Sequence, residues 1–368
     1  MSPHAALTLR NLSARIGRDP LLTQANSGNT SIKLDRVLWV KASGKWLSDA
    51  LQEDIFARVD LASARECIRR GHNPTAAAID AGGERLTPSV ETAMHAALPQ
   101  RIVVHVHSVN AIAHGVRWDA RPQLEQLLAG LQWEWIPYAA SGLPLAAQIE
   151  QVLRRSPLTD VFILSNHGLI VCGDDCETAE LLLAEIEARL STNPRRAPEF
   201  DEQFLRRLAA GSGWRLPAHT RLHALATDAA SREILSRGIL YPAQTVFLGN
   251  RNPWASFYSG LYSEATLDFD HLGSARRFVV VRDKGVLVGD TLTSVELETL
   301  LGLVEVVQRI DPSVPLRYLT AAEAEQSTHG VYREVPAMRA CAPTGEISAA
   351  STWRTELEPA CPGHPGSS

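Results

Sequence analysis

The stretch Arg101-Ile-Val-Val-His-Val-His-Ser108 constrains this chain more than any other. It places two imidazoles two residues apart at the end of a β-branched apolar run. Side chains of a strand alternate between faces, so His105 and His107 project the same way. Two neutral imidazoles side by side away from water are a poor structural choice but a good start on a metal site, because imidazole nitrogen is the commonest protein ligand for zinc.

A third histidine follows sixty residues on, in Val161-Phe-Ile-Leu-Ser-Asn-His-Gly-Leu-Ile-Val171, where an apolar run breaks at Asn166-His167-Gly168 and resumes. A glycine beside His167 lets the backbone take φ > 0 or approach another group closely, which aims one side chain at a site on a neighbouring strand. Three histidines and an open position make catalytic zinc geometry.

With 368 residues, 45% hydrophobic and 21% charged, the chain has ordinary globular composition and is long enough for two cores. A net charge of −5 and basic runs no longer than a dipeptide argue against a nucleic-acid partner. No stretch approaches the ~18 consecutive apolar residues of a membrane span, and the first thirty residues lack the pattern of a secretory leader. A cytoplasmic protein without membrane contact is expected. Cys67, Cys172, Cys176, Cys341 and Cys361 show no CxxC spacing and read as reduced thiols.

The pattern predicts a helix over 6–18, a hairpin from Gly28-Asn-Thr-Ser-Ile-Lys33 to Val37–Lys41, helices over 52–70 and 89–98, a strand over 101–107 and helices over 109–115 and 120–130. Strand 133–138, helix 145–154, strands 160–165 and 168–172 and helix 175–190 complete a unit. Pro88 suits the start of the 89–98 helix, with the Glu91 acid near the positive end of its dipole. Such alternation implies a sheet layered with helices. Residues 191–201 read as a linker and 342–368 as a disordered tail rich in Pro, Gly, Ser and Thr. Between them, Phe278–Asp290 and a helix with Ser294 and Glu296 can be laid over Phe162–Asp174 and its helix with Thr178 and Glu180. Lys284 then stands in place of His167, so this second unit would be a degenerate repeat without metal ligands.

Five blocks in order, Ser27-Gly-Asn-Thr-Ser31, Lys41-Ala-Ser-Gly44, Pro88-Ser-Val-Glu91, His105-Val-His107 and Asn166-His-Gly168, resemble the class II aldolase/adducin family. The resemblance spans about residues 5–190, and segment 238–319 is similar to the region that follows this domain in longer rhamnulose-phosphate aldolase-like proteins. It implies an α/β fold, a three-layer α/β/α domain around a largely antiparallel sheet over 1–195, followed by a smaller α/β domain over 196–341. It also implies Zn2+ held by His105, His107 and His167, with Glu91 as acid/base and as a further metal ligand. A carbanion beside a ketone needs a Lewis acid for the enediolate oxygens and a base at the leaving proton, and bound zinc and a carboxylate supply these.

In the family a sugar phosphate lies against the turns that match Ser27, Gly28 and Asn29, Ser43 and Gly44, and Ser89, whose backbone N–H groups suit an anion. Lys41 or Lys45 can add charge there or be solvated. Val90 stands where phosphate-using aldolases carry a second hydroxyl. His95, four residues from Glu91, has a packing role by the family pattern. His72 and His114 read as solvated or satisfied, and Tyr138 is a candidate proton donor by chemistry only. The leading expectation is a zinc aldolase cleaving or forming a carbon–carbon bond in a sugar-phosphate-like substrate, in a homo-oligomer that the family pattern makes a tetramer. The alternatives are a ribulose-phosphate 4-epimerase, whose relatives tend to carry aspartate at Glu91, a dehydratase acting on a thio-sugar phosphate, or a non-catalytic adducin-like binding module.

Overall fold

Short apolar runs separated by turns build one mixed sheet. Its strands are β1 (Asn29–Leu34), β2 (Val37–Lys41), β3 (Phe56–Asp60), β4 (Ile102–Val106), β5 (Trp133–Ile136), β6 (Val161–Leu164) and β7 (Gly168–Gly173), in the order β3-β2-β1-β4-β7-β6-β5. Every neighbouring pair is antiparallel except β5 and β6. The structure is a computed structural model and describes residues 3–79, 86–248 and 277–332.

Strand alternation sorts the sheet residues onto two faces. Ile32, Val104, Ile163 and Val171 pack under α1 (Pro3–Arg18), α5 (Ala120–Leu127) and α7 (Cys176–Leu190). The other face carries Val103, Phe162 and Ile170 against α3 (Thr92–Ala97) and α6 (Leu143–Arg155), while Leu38, Val40 and Val59 meet α2 (Leu61–Arg69). Each fully buried Leu, Ile, Val or Phe contributes about 1.5–3 kcal/mol. By the same alternation His105 and His107 share the face of Val103, beneath α3. This is the three-layer α/β/α arrangement expected.

One expected element is different. The helix predicted over 52–70 begins only at Leu61; Phe56-Ala-Arg-Val-Asp60 is instead the edge strand β3, paired with β2 from Val37↔Asp60 to Lys41↔Phe56. Asp60 ends the strand and caps the helix, its side chain accepting from the Ser63 N–H at 2.8 Å.

After α7, residues 191–201 contain no helix or strand. Then come α8 (Glu202–Ala209), β8 (Trp214–Arg215), α9 (Ala224–Thr227), α10 (Ala229–Ser236), α11 (Pro242–Leu248), β9 (Phe278–Val281), β10 (Gly285–Gly289), α12 (Ser294–Arg309) and α13 (Ala321–Tyr332). The three strands form a second sheet, β8-β10-β9. Its residues Val280 and Val286 and the α12 residues Leu303 and Val304 share one buried cluster with Val109, Ile112 and Val116, which lie on or just after α4 (Val109–Gly115). The second half is thus packed directly on the first.

The β6–β7 and β9–β10 hairpins turn alike. Asn166 and Asp283 both take positive φ, 52° and 58°, and the His167 and Lys284 N–H groups donate back to Leu164 and Val281. The helices that follow are offset, because their N-caps are Asp175 and Thr293; Thr178 therefore matches Glu296, not Ser294. Lys284 pairs with Asp201 at 2.7 Å. The expected tail over 342–368 lies outside the described residues. No described helix is long and apolar enough to cross a membrane.

Candidate metal centre and active site

Three backbone constraints bring the histidines together. His105 sits in β4 and His107 just beyond its end, so both face one side; β4 pairs with β7, placing the turn before β7, with His167, beside them. That turn is tight because Gly168 lies against β4. A Cβ there would stand 2.3 Å from the Val106 carbonyl oxygen. The ring centroids of His105, His107 and His167 form a nearly equilateral triangle with sides of 5.2, 5.0 and 5.2 Å. One nitrogen from each lies within 4.8 Å of the others, the sole such group of metal-ligating side chains among the described residues.

Glu91, at the N-terminal edge of α3, closes the group from above. Its Oε2 is 3.4 Å from His105 Nε2 and its Oε1 3.4 Å from His167 Nε2. Asn29 Nδ2 donates to Oε2 at 2.5 Å and Ser141 Oγ to Oε1 at 3.1 Å, so both carboxylate oxygens are held. All four acid and imidazole side chains are buried. Burial alone would raise the Glu91 carboxyl, but the His105 imidazole, then that of His167, outweigh it and hold it well below the usual range. His105 is raised: Glu91 and the bond to Leu169 overcome its burial. Burial and the neighbouring rings lower His107 and His167, keeping them neutral and able to act as ligands.

The donor set fits a divalent ion. His105 Nδ1 donates to the Leu169 carbonyl at 3.0 Å, leaving the Nε2 lone pair facing the cluster, and this buried Nε2 has no hydrogen-bond partner. A backbone carbonyl on the far nitrogen is the usual way of fixing a ligand tautomer. Three imidazoles with a nearby carboxylate match the preference of zinc for nitrogen and oxygen donors.

His107, His167 and Glu91 open onto a cavity of about 330 Å³. Ser27, Gly28, Asn29, Ser43, Gly44, Ser89, Glu91, His107 and His167 all line it; His105 lies behind, fully buried. The Ser27 and Ser43 N–H groups, expected to face an anion, are taken by the Gln24 and Thr87 carbonyls. Those turns therefore bring hydroxyls to the cavity more than amides. Lys41 is no solvated lysine: its buried ammonium donates to the Asn26 and Lys45 carbonyls at 2.6 and 2.8 Å and is pushed down to about 7 by burial. Lys45 pairs with Glu53.

The remaining candidates lie apart from the triad. His95 is buried with Nδ1 2.7 Å from the Ser31 hydroxyl, a packing role, and His114 is satisfied by Gln123 and Leu190. Cys172 and Cys176 are buried free thiols. The Tyr138 hydroxyl bonds to Ser327 at 3.0 Å. Sequence reasoning missed Ser141, although it stands in a glycine and proline turn. It also missed the cavity wall from α11 and α13, which includes Ala243, Val246, Phe247, Gln326 and Ser327 and carries no local signature.

The first half of the chain is similar to known proteins. The class II aldolase and adducin N-terminal domain matches residues 11–193. Over 177 residues the chain is 30% identical to a methylthioribulose-1-phosphate dehydratase of Microcystis aeruginosa, covering 44% of this chain and 81% of that protein. It is 29% identical over 178 residues to the uncharacterized oxidoreductase YuxG of Bacillus subtilis, where the match covers 44% of this chain and only 26% of the relative. Among solved structures, the N-terminal class II aldolase domain of a conserved Thermoplasma acidophilum protein aligns at 26% identity and a TM-score of 0.44, covering 50% of this chain and 90% of that one. The L-fuculose-1-phosphate aldolase of Thermus thermophilus aligns at 17% and 0.36, covering 58% and 100%. With its motifs in order and its sheet in place, the chain belongs to the class II aldolase and adducin family.

Proposed function

We propose that this protein is a zinc-dependent aldolase, a lyase acting next to the ketone of a hydroxylated, sugar-phosphate-like substrate. One observation carries the reading: a buried carboxylate, Glu91, stands 3.4 Å from two of three converging imidazoles at the floor of a cavity rimmed with hydroxyls. His105, His107 and His167 are the residues to hold the ion, with Glu91 within reach of the same site. When bound, zinc supplies positive charge for the substrate oxygens as the bond beside the ketone breaks.

The chain's own groups do the rest. Glu91, ionised at neutral pH, accepts a proton from the substrate and returns it, while Asn29 and Ser141 fix its plane. The hydroxyls of Ser27, Ser43 and Ser89 bind the polar or anionic end of the substrate. Val90 at the cavity wall leaves one hydroxyl fewer for a phosphate.

A dehydratase is the second reading, favoured by the identity to the methylthioribulose-1-phosphate dehydratase. The deciding experiment measures zinc per chain in protein purified without chelator and then analyses products from a panel of ketose phosphates. About one zinc per chain and two carbonyl fragments are expected. A single product lighter by one water would move the assignment to the dehydratase. A folded chain that takes up no zinc would turn it to an adducin-like binding role.

A further inference from the structure

The side-chain amide of Asn166, the residue before His167, uses all of its hydrogen-bonding capacity. Its Nδ2 donates to the Leu240 carbonyl at 2.8 Å and to the Arg317 carbonyl at 2.9 Å. Its Oδ1 accepts from Arg317 Nη1 at 3.0 Å and from the Ser165 hydroxyl at 2.9 Å. Three of these four partners belong to the second half of the chain, more than seventy residues away.

Arg317 is itself held firmly. Its N–H donates to the Val116 carbonyl at 2.7 Å, at the end of α4, and its Nη2 reaches Glu323 of α13 at 2.5 Å. Its guanidinium lies over the Tyr138 ring, 5.1 Å from the centroid. Glu323 is fixed in turn by the Thr320 N–H and hydroxyl. Asn166 holds φ 52°, in the left-handed region that asparagine visits more readily than most residues, and side-chain bonds to its surroundings fix the turn there. Here the surroundings are mostly the second half.

We propose that Arg317 is a positioning residue: through Asn166 it clamps the turn that carries His167, so that the second half sets the aim of one imidazole of the triad. The proposal rests on the metal-site reading above for its consequence, but the clamp is a property of the polypeptide. The Arg317 guanidinium touches none of the cavity-lining residues; it reaches the site through the Asn166 turn and, by way of Glu323, through α13. α11 and α13, which flank this clamp, also line the cavity, so the same packing that closes the site orders its ligand turn.

The test compares the full-length protein with Arg317→Met, Arg317→Lys and a control, Arg195→Met. Arg195 ties the linker to Asp228 and to the Val307 carbonyl, far in sequence from the turn, so its loss loosens the second half without touching Asn166. Hydrogen exchange of the metal-free protein should rise over residues 164–168 in Arg317→Met, less in Arg317→Lys, and not in Arg195→Met. Zinc affinity measured by chelator competition should fall about 10- to 100-fold in Arg317→Met, the usual cost of losing a group that orients a ligand, and change little in Arg195→Met. Unchanged exchange at the turn, or equal exchange and affinity losses in both methionine variants, overturns the clamp. Raised exchange with unchanged zinc affinity overturns its role in aiming His167. Wild-type protein that takes up no zinc fails the metal-site reading instead, and the exchange result still decides the clamp.

Discussion

The roles proposed for Glu91 and His107, acid/base and metal ligand, come apart at the scale of single residues. Glu91→Gln keeps the shape and one hydrogen-bonding oxygen but removes the proton acceptor. Its turnover is expected to fall about 10²-fold or more, in the range usual for a lost acid/base, while zinc content and the unfolding midpoint stay near wild type. His107→Ala removes one of the three imidazoles; the buried His107 Nδ1 has no hydrogen-bond partner to lose. It is expected to abolish zinc uptake with the circular dichroism spectrum unchanged, and unaltered zinc content would refute the proposed site. These residues were legible because the spacing of two in a strand forces His105 and His107 to one face, and because an acid opening a helix is a local signal. Ser141 and the buried strut Lys41 were not, since their partners are fixed by contacts remote in sequence or by burial that only packing creates.

At the scale of elements, the β6–β7 turn depends on a position without a side chain. Gly168→Ala puts a Cβ 2.3 Å from the Val106 carbonyl oxygen, so β4 and β7 must part where both carry the clustered histidines at or beside their ends. A loss of roughly 1–3 kcal/mol, the usual cost of overpacking, is expected in urea unfolding, together with weaker zinc binding. The apolar runs of β4, β6 and β7 and the glycine break between the last two were readable from the sequence. β3 was not. Phe56-Ala-Arg-Val-Asp60 precedes a helical pattern, and what makes it a strand is the exposed edge of β2, which local sequence does not reveal.

For the whole molecule, buried neutral histidines set the acid limit. His95 is pushed down to about 3 and His223 to about 4, chiefly by burial. Below the ordinary histidine value of about 6.5 the unfolded chain binds protons that the folded chain refuses, so stability falls as pH drops. For His95 the loss approaches about 1.4 kcal/mol per pH unit once the unfolded side chain is protonated, continuing to about pH 3. His105, raised in the folded protein, acts with the opposite sign above that window and is protonated in both states within it. Denaturant titrations of the metal-free protein from pH 7 to 4 are expected to show a steady decline, and a flat profile would contradict the burial of these rings.

By itself the sequence determined the family, the layered sheet and the cluster of side chains that could hold a metal ion, because strand alternation, turn glycines and motif order are local or linear properties. The tertiary structure decided what those properties cannot encode. The antiparallel pairing of β4 with β7 carries His167 to its partners, and Glu91 is held by Asn29 and Ser141 from separate elements. The second half encloses the cavity and grips Asn166. Such contacts join residues far apart in the chain, and their geometry exists only once the core has packed and fixed the distance between them.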